Sequence, residues 1–402
     1  MVDGERNEPG RVLSRRTILK SMIGVAAACS LPTAVNALAM PERFTNSINP
    51  RWYGFNLLEY FSIDPDWMKY FPYKDDGNFK EDDFRWMRDW GFNWVRLPID
   101  YRFWTDPQDP MKIDEKKVEP IDRAIRLGEK YGIHINICLV RAPGEYILNE
   151  LDEKLSGIHI TREKTSVYRD QRTLDVFVHQ WAYFARRYKG IPSSQLSFDL
   201  VNEPDEKKAH PASRGRRDYA RVATAAIAAI RGIDPGRLIV TDGYPYGTEP
   251  IPELFDAGIM QSGHDYLPGD LTGYRDEWLR YPGSDKLSVP TWPLKDEHGK
   301  IVSDKGTIQT QLRPWGELAK HNVPIHFGEM GCGRYTPPNV VYAWFRDSLD
   351  VIDDLRSGWA LWNFRGPFGV LDTNRAGTQY KDWHGHRLDS TLLRLLQSKM
   401  RV

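Results

Sequence analysis

Two glutamates stand out for the residues around them. Leu196-Ser197-Phe198-Asp199-Leu200-Val201-Asn202-Glu203-Pro204 is a short, largely apolar run that ends in a carboxyl group. Leu196, Phe198, Leu200 and Val201 suit a buried strand. Proline has no N–H to offer a sheet ladder, so Pro204 stops the strand and leaves Glu203 at its carboxyl end. A carboxyl group half in apolar surroundings can have its pKa raised and serve as an acid. The second glutamate, Glu329, ends the run Pro324-Ile325-His326-Phe327-Gly328-Glu329. A glycine just before it lets another side chain or a ligand approach the backbone closely. Taken singly, either residue would also suit a solvated strand end. Two carboxyls opposed over one cleft are what cleavage of a glycosidic bond requires. One gives a proton to the leaving oxygen, and the other attacks the anomeric carbon or activates a water.

The elements that must bring them together recur along the chain. Strand-like runs begin at Tyr53-Gly54-Phe55-Asn56, Asn93-Trp94-Val95-Arg96, Ile133-His134-Ile135-Asn136, Leu196, Arg237-Leu238-Ile239-Val240, Gly258-Ile259-Met260-Gln261, Pro324-Ile325 and Gly358-Trp359-Ala360-Leu361. Most are separated by charged, amphipathic stretches of helical period, among them Lys80–Trp90, Val118–Tyr131 (ending at Gly132) and Arg172–Tyr188. Eight βα repeats over such a span predict a single-domain (β/α)8 TIM barrel rather than an open doubly wound sheet. No Gly-rich phosphate loop follows the first run, which weighs against dinucleotide binding. In a barrel the polar residues closing each run share one rim: Asn56, Arg96, Arg141, Asn202 with Glu203, Asp242, His264 with Tyr266, Glu329 and Trp362. Glu203 and Glu329 end the fourth and seventh strands and so face each other across the mouth. The long segments Arg141–Thr165 and His264–Thr307 belong on that face too, where they shape a cleft. Lys381–Val402 reads as a terminal helix packed back on the barrel.

Outside the barrel, the N-terminus carries an export signal. Ser14-Arg15-Arg16-Thr17-Ile18-Leu19-Lys20 follows the twin-arginine pattern, Met22 to Leu31 is apolar but too short for a stable bilayer span, and Ala37-Leu38-Ala39 supplies a small-x-small cleavage site. Residues 1–39 are therefore expected to be a Tat signal peptide with a disordered start, and residues 40–402 the folded domain. The mature protein is expected in the periplasm or secreted, with the Tat machinery as its partner in export and no stable membrane anchor. Lys+Arg and Asp+Glu number 55 each, so no global field favours nucleic acid. Three cysteines, Cys29, Cys138 and Cys332, make no disulfide framework, and Cys138 within an apolar run is expected to be a buried, inert thiol. The ten histidines show no helical His-x-x-x-His pair, and His384 and His386 are expected at the surface; no metal and no cofactor is expected.

Asn-Glu-Pro ending one strand and Gly-Glu ending a later one resemble glycoside hydrolase family 5, the cellulase family within a clan of retaining glycosidases. The likeness extends through Gly54-Phe55-Asn56-Leu57, Arg96-Leu97-Pro98, Arg141-Ala142-Pro143-Gly144, His264-Asp265-Tyr266 and Trp362, in order. The resemblance implies Glu203 as acid/base and Glu329 as nucleophile, with retention, on a β-linked polysaccharide or oligosaccharide such as a glucan. Asn202 would then hydrogen-bond a sugar 2-hydroxyl. Arg96 would hold Glu329 ionised and low in pKa, and Tyr266 would donate to the same carboxylate. His264 would bind sugar or tune the acid, and Trp362 would offer its face to the sugar ring. One departure is plain: the family commonly has His before Arg-Ala-Pro-Gly, and this chain has Val140. That leaves open a non-catalytic carbohydrate-binding barrel, with Arg141 or Glu145 as substitutes if the site is active. A β-mannanase, a β-1,3-glucanase or a transglycosylase would use the same site.

Overall fold

A computed structural model describes residues 51–70, 78–145, 161, 164–206, 212–276 and 286–400. The twin-arginine segment, its cleavage site and Cys29 lie outside these residues. Eight parallel strands close into a barrel in chain order: β1 (Tyr53–Asn56), β2 (Trp94–Asp100), β3 (His134–Arg141), β4 (Leu196–Asp199), β5 (Leu238–Asp242), β6 (Met260–Asp265), β7 (Ile325–Met330) and β8 (Gly358–Leu361). Every residue of all eight strands is buried. Parallel strands are covered on both faces, which is why they appear in the sequence as near-continuous apolar runs and not as alternating ones.

Helices α1 (Glu81–Asp89), α2 (Glu115–Tyr131), α3 (Gln171–Arg187), α4 (Ala212–Ile233), α5 (Lys305–Leu312), α6 (Pro338–Asp354) and α7 (Ser390–Lys399) lie between and after the strands. Their ends follow local chemistry. The Asp114 side chain accepts from Lys116 N–H at the start of α2, and Asp170 accepts from Thr173 N–H at the start of α3. Gly132 closes α2 in the left-handed region, as the sequence predicts. Between β5 and β6 the crossover is only a short 3-10 turn, Pro252–Ala257. Among the described residues no helix is long and apolar enough to cross a membrane.

Two local expectations change. The C-terminal segment is not one helix: a two-stranded antiparallel hairpin, Lys381–Trp383 with His386–Leu388, comes first. His384 and Gly385 both have positive φ and make its turn, so the helix can begin only at Ser390, where Asp389 caps it. β2 runs on through Pro98 to Asp100, beyond Arg96, the residue opposite the last residue of β1. There β3 is the one strand paired with β2, with Asp100 N–H reaching Tyr60 O outside any ladder, and an edge tolerates proline.

The floor of the barrel is an aromatic plug. Trp94 stacks on His134 at 4.5 Å and 4°, Trp52 stacks on Trp94 at 4.7 Å, and His326 lies tilted 4.5 Å from Trp94. Burial pushes both histidines down to about 3, so the imidazoles are neutral hydrogen-bonding spacers, His134 to Ser194 O and Ser197 Oγ, His326 to Trp52 O. The polar end of the barrel is thereby left at the opposite, carboxyl-terminal rim.

Candidate active site

The fourth strand delivers its glutamate by a twist of backbone. The β4 ladder ends at Asp199, but the chain continues to track its neighbours, with Leu200 N–H donating to Val240 O and Asn202 N–H to Leu139 O. Glu203 then takes φ +47, a left-handed conformation uncommon for a residue with a side chain. Glu329 leaves β7 more simply, as the fifth of its six residues. Gly328 matters here because a Cβ in its place would lie 2.6 Å from Ser262 Oγ and 3.5 Å from Arg96 Cδ. The close approach anticipated for this glycine is that of Ser262, on the neighbouring β6.

Arg96 is the hub. It is wholly buried in β2 and reaches three carboxylates: Glu329 at 2.6 Å, Asp199 at 3.0 Å and Asp242 at 3.1 Å. It also donates to Asn202 Oδ1 at 2.9 Å, Asn56 Oδ1 at 3.2 Å and Cys138 Sγ at 3.0 Å. The fixed fork of a guanidinium allows this many partners at once. Asn56 locks the arrangement from below, its Nδ2 donating to Gly328 O and Leu361 O, both at 2.9 Å. Four strands are thus tied to one another beneath Glu329.

The remaining rim residues converge on the carboxyl pair. Tyr266 OH donates to Glu329 Oε2 at 2.9 Å. Burial and the neighbouring Glu329 and Glu203 charges raise the phenol pKa well above its usual value, so it stays a donor. His264 Nδ1 lies 3.2 Å from Glu203 Oε1 and 3.6 Å from Glu329 Oε2, and Nε2 lies 3.0 Å from Asp242 Oδ2. Gly247 gives the ring its room, since a Cβ there would fall 2.6 Å from His264 Cγ. Burial alone would lower the His264 pKa, but Asp242 and Glu329 outweigh it and lift the ring to about 10. One oxygen of Glu203, one of Glu329 and a His264 nitrogen all lie within 4.8 Å of one another. Such a trio could suit a cation, and without one both ring nitrogens face carboxylates.

The electrostatics correct one expectation. Glu329 is not held low by Arg96. Burial, the largest influence, outweighs the His264 and Arg96 cations and raises its pKa above the ordinary value, with Glu203 and Asp242 adding to the rise. The other buried acids separate. Burial and the Asp242 charge push Asp199 up to about 7, while His264 and Arg96 overcome burial at Asp242 and bring it down to about 2. Two cations therefore serve four carboxyl groups, and of the two aspartates Asp199 is the one that more readily carries a proton.

Trp362 follows β8, is buried, and meets Phe61 edge-on at 5.4 Å. Val140, buried in β3, precedes Arg141, which donates to Thr161 O, while Glu145 interacts with the Tyr168 phenol and its charge acts on Tyr244 as well. Cys138 and Cys332 are both buried free thiols, Cys138 against Arg96, its pKa raised chiefly by burial. The sequence reading missed Asp199, whose only signal was an acid inside an otherwise apolar strand. It also noted Asp242 without a role.

In sequence and fold the chain is similar to known proteins. The chain is similar to endoglucanase C of Acetivibrio thermocellus, 22% identical over 309 residues that cover 71% of this chain and 83% of that one. A crystal structure of a glycoside hydrolase superposes with a TM-score of 0.76 at 35% identity, covering 87% of this chain and 100% of the other. Cel5A of Thermotoga maritima, solved in complex with mannotriose, shares the fold with a TM-score of 0.62 at 22% identity, over 87% of this chain and 97% of that one. Residues 51–366 match the cellulase family, glycosyl hydrolase family 5, and the chain belongs to that family of glycosidases.

Proposed function

We propose that this protein hydrolyses a β-linked glucan with retention of anomeric configuration, by double displacement at Glu203 and Glu329. The observation that carries the reading is the spacing of the two carboxyls, whose nearest oxygens lie within 4.8 Å. That suits the ~5–5.5 Å of retaining enzymes better than the ~6.5–9.5 Å across which an inverting pair holds its water. In the first step a Glu329 oxygen attacks the anomeric carbon as the bond to the leaving oxygen breaks. The Glu203 proton goes to that oxygen, which departs as an alcohol. In the second step Glu203, now a carboxylate, takes a proton from water. The water oxygen attacks the anomeric carbon, and Glu329 leaves with the bonding pair. Arg96 and Tyr266 hold the two Glu329 oxygens so that one face of the carboxylate is aimed throughout.

The substrate class rests on relatives named endoglucanases and on neutral, aromatic groups at the rim, Tyr266 on Glu329 and the buried Trp362 after β8. Asn202 would hold the 2-hydroxyl of the cleaved sugar. The protein is proposed to reach the periplasm or the medium through its twin-arginine segment. Glu203→Gln and Glu329→Gln should each abolish release of reducing ends from soluble β-glucan while the barrel stays folded, and proton NMR should show β-anomer formed first. Activity near the parent level in either variant, or initial α-anomer, would overturn the assignment. Binding without hydrolysis by the parent protein would favour a carbohydrate-binding barrel instead, and hydrolysis of β-mannan but not β-glucan would revise the substrate.

A further inference from the structure

Asp242 is a buried acid beside the carboxyl pair to which the mechanism above gives no part. It is the last residue of β5 and is fully buried. Its Oδ2 alone accepts the backbone N–H of Glu203 at 3.0 Å and Arg96 Nη2 at 3.1 Å, and lies 3.0 Å from His264 Nε2, though out of line for a well-directed hydrogen bond. Its Oδ1 has no hydrogen-bond partner among the described residues. A buried carboxylate oxygen left unpaired costs stability, so packing alone gives no reason for an acid here. The first of those bonds is the informative one. Glu203 sits in a left-handed conformation that is strained for a residue with a Cβ and persists only where its surroundings hold it. Asp242 grips the very peptide that carries the strain. On its other side it faces the ring whose Nδ1 lies against Glu203 Oε1.

We propose that Asp242 is a positioning residue for proton transfer: it clamps the Glu203 backbone in its left-handed turn and holds the His264 ring against the Glu203 carboxyl. It touches no reacting atom itself. This rests on Glu203 being the acid/base, and the test separates the two claims. Asp242→Asn keeps the shape and one acceptor oxygen but removes the charge. Parent, Asp242→Asn and Glu203→Gln are compared on a cello-oligosaccharide and on 2,4-dinitrophenyl β-cellobioside, the latter with sodium azide. Dinitrophenolate departs with its bonding pair and needs no proton. Azide then attacks the anomeric carbon of the glycosyl-enzyme without a base, releasing Glu329 and giving a β-glycosyl azide.

For Asp242→Asn we expect roughly a 10²-fold loss of kcat on the oligosaccharide and a loss under about tenfold on the aryl glycoside with azide, as general acid–base help is removed but the nucleophile is spared. Glu203→Gln should show the same split, more strongly. Equal losses on both substrates for Asp242→Asn, or rates within a few-fold of the parent on both, would overturn the inference while leaving Glu203 as acid/base. No split in Glu203→Gln would instead overturn the reading of Glu203 and the inference with it. Should Asp242→Asn fail to fold, Asp242→Glu, which keeps the charge but displaces it, must show the split, and its absence is equally decisive.

Discussion

The packing behind Glu329 can be tested without touching a carboxyl group. Gly328→Ala would place a Cβ 2.6 Å from Ser262 Oγ, with Arg96 Cδ and Nε the next nearest atoms at 3.5 Å. The backbone of Gly328 is not in the left-handed region, so alanine is allowed there conformationally and would by itself stabilise by about 0.4–1 kcal/mol through the unfolded chain. The contact with Ser262 is the whole problem. Ser262 is buried, and relieving a 2.6 Å approach requires a shift of most of an ångström, at a cost of about 1–3 kcal/mol. Because the neighbour of Gly328 is Glu329, the shift also moves the proposed nucleophile, and displacements of ~1 Å can lower rates by ~10²-fold.

The same geometry names the remedy. Ser262 Oγ has no hydrogen-bond partner among the described residues, so Ser262→Ala should be nearly silent or slightly stabilising. In the double variant no atom would lie closer than 3.5 Å to the new Cβ, which is ordinary contact. Urea denaturation and kcat/KM on soluble β-glucan, measured for all four members of the cycle, should show the single glycine change impaired and the pair largely restored, a coupling of about 1–3 kcal/mol. A double variant no better than Gly328→Ala would place the damage elsewhere. A silent Gly328→Ala would mean that Ser262 rotates away freely. Either result refutes the argument from close approach.

Two further outcomes follow from the charge network. Tyr266→Phe removes the phenol that donates to Glu329 Oε2 at 2.9 Å and should reduce kcat by about tenfold or more with little change in melting temperature, since one donor to a reacting carboxylate is lost; an unchanged kcat would show that the phenol contributes nothing to the reaction. His264 has its pKa raised from 6.5 to about 10 in the fold, so the stability it contributes is fully present below pH 6.5 and is lost as pH rises toward 10. In His264→Gln the dependence of unfolding free energy on pH between 7 and 9 should lose a fall of about 1.4 kcal/mol per pH unit, and identical slopes in parent and variant would refute a charged ring.

Much of the architecture was legible because parallel strands buried on both faces leave unbroken apolar runs, and all eight runs became barrel strands. The polar residue at the end of each was legible for a related reason: where the ladder stops, backbone and side chains meet solvent or ligand, and an acid there is conspicuous after a largely apolar run. The terminal hairpin was not legible. Its two strands are three residues each, too short for a period to register, and its turn depends on positive φ at His384, which no local pattern announced.

The order of strands, the paired glutamates and the family follow from residue types and spacing, since local periodicity and strand-ending residues act on the chain one segment at a time. Distances and proton affinities do not. Arg96 can meet three carboxylates only because β2, β4, β5 and β7 point their side chains into one barrel, and Glu329 lies above its ordinary pKa, against expectation, because closure removes water that no count of neighbouring charges reveals. Asp199 and Asp242 were two acids among 55 until the fold put them on the same guanidinium, and only there does one rise to about 7 while the other falls to about 2.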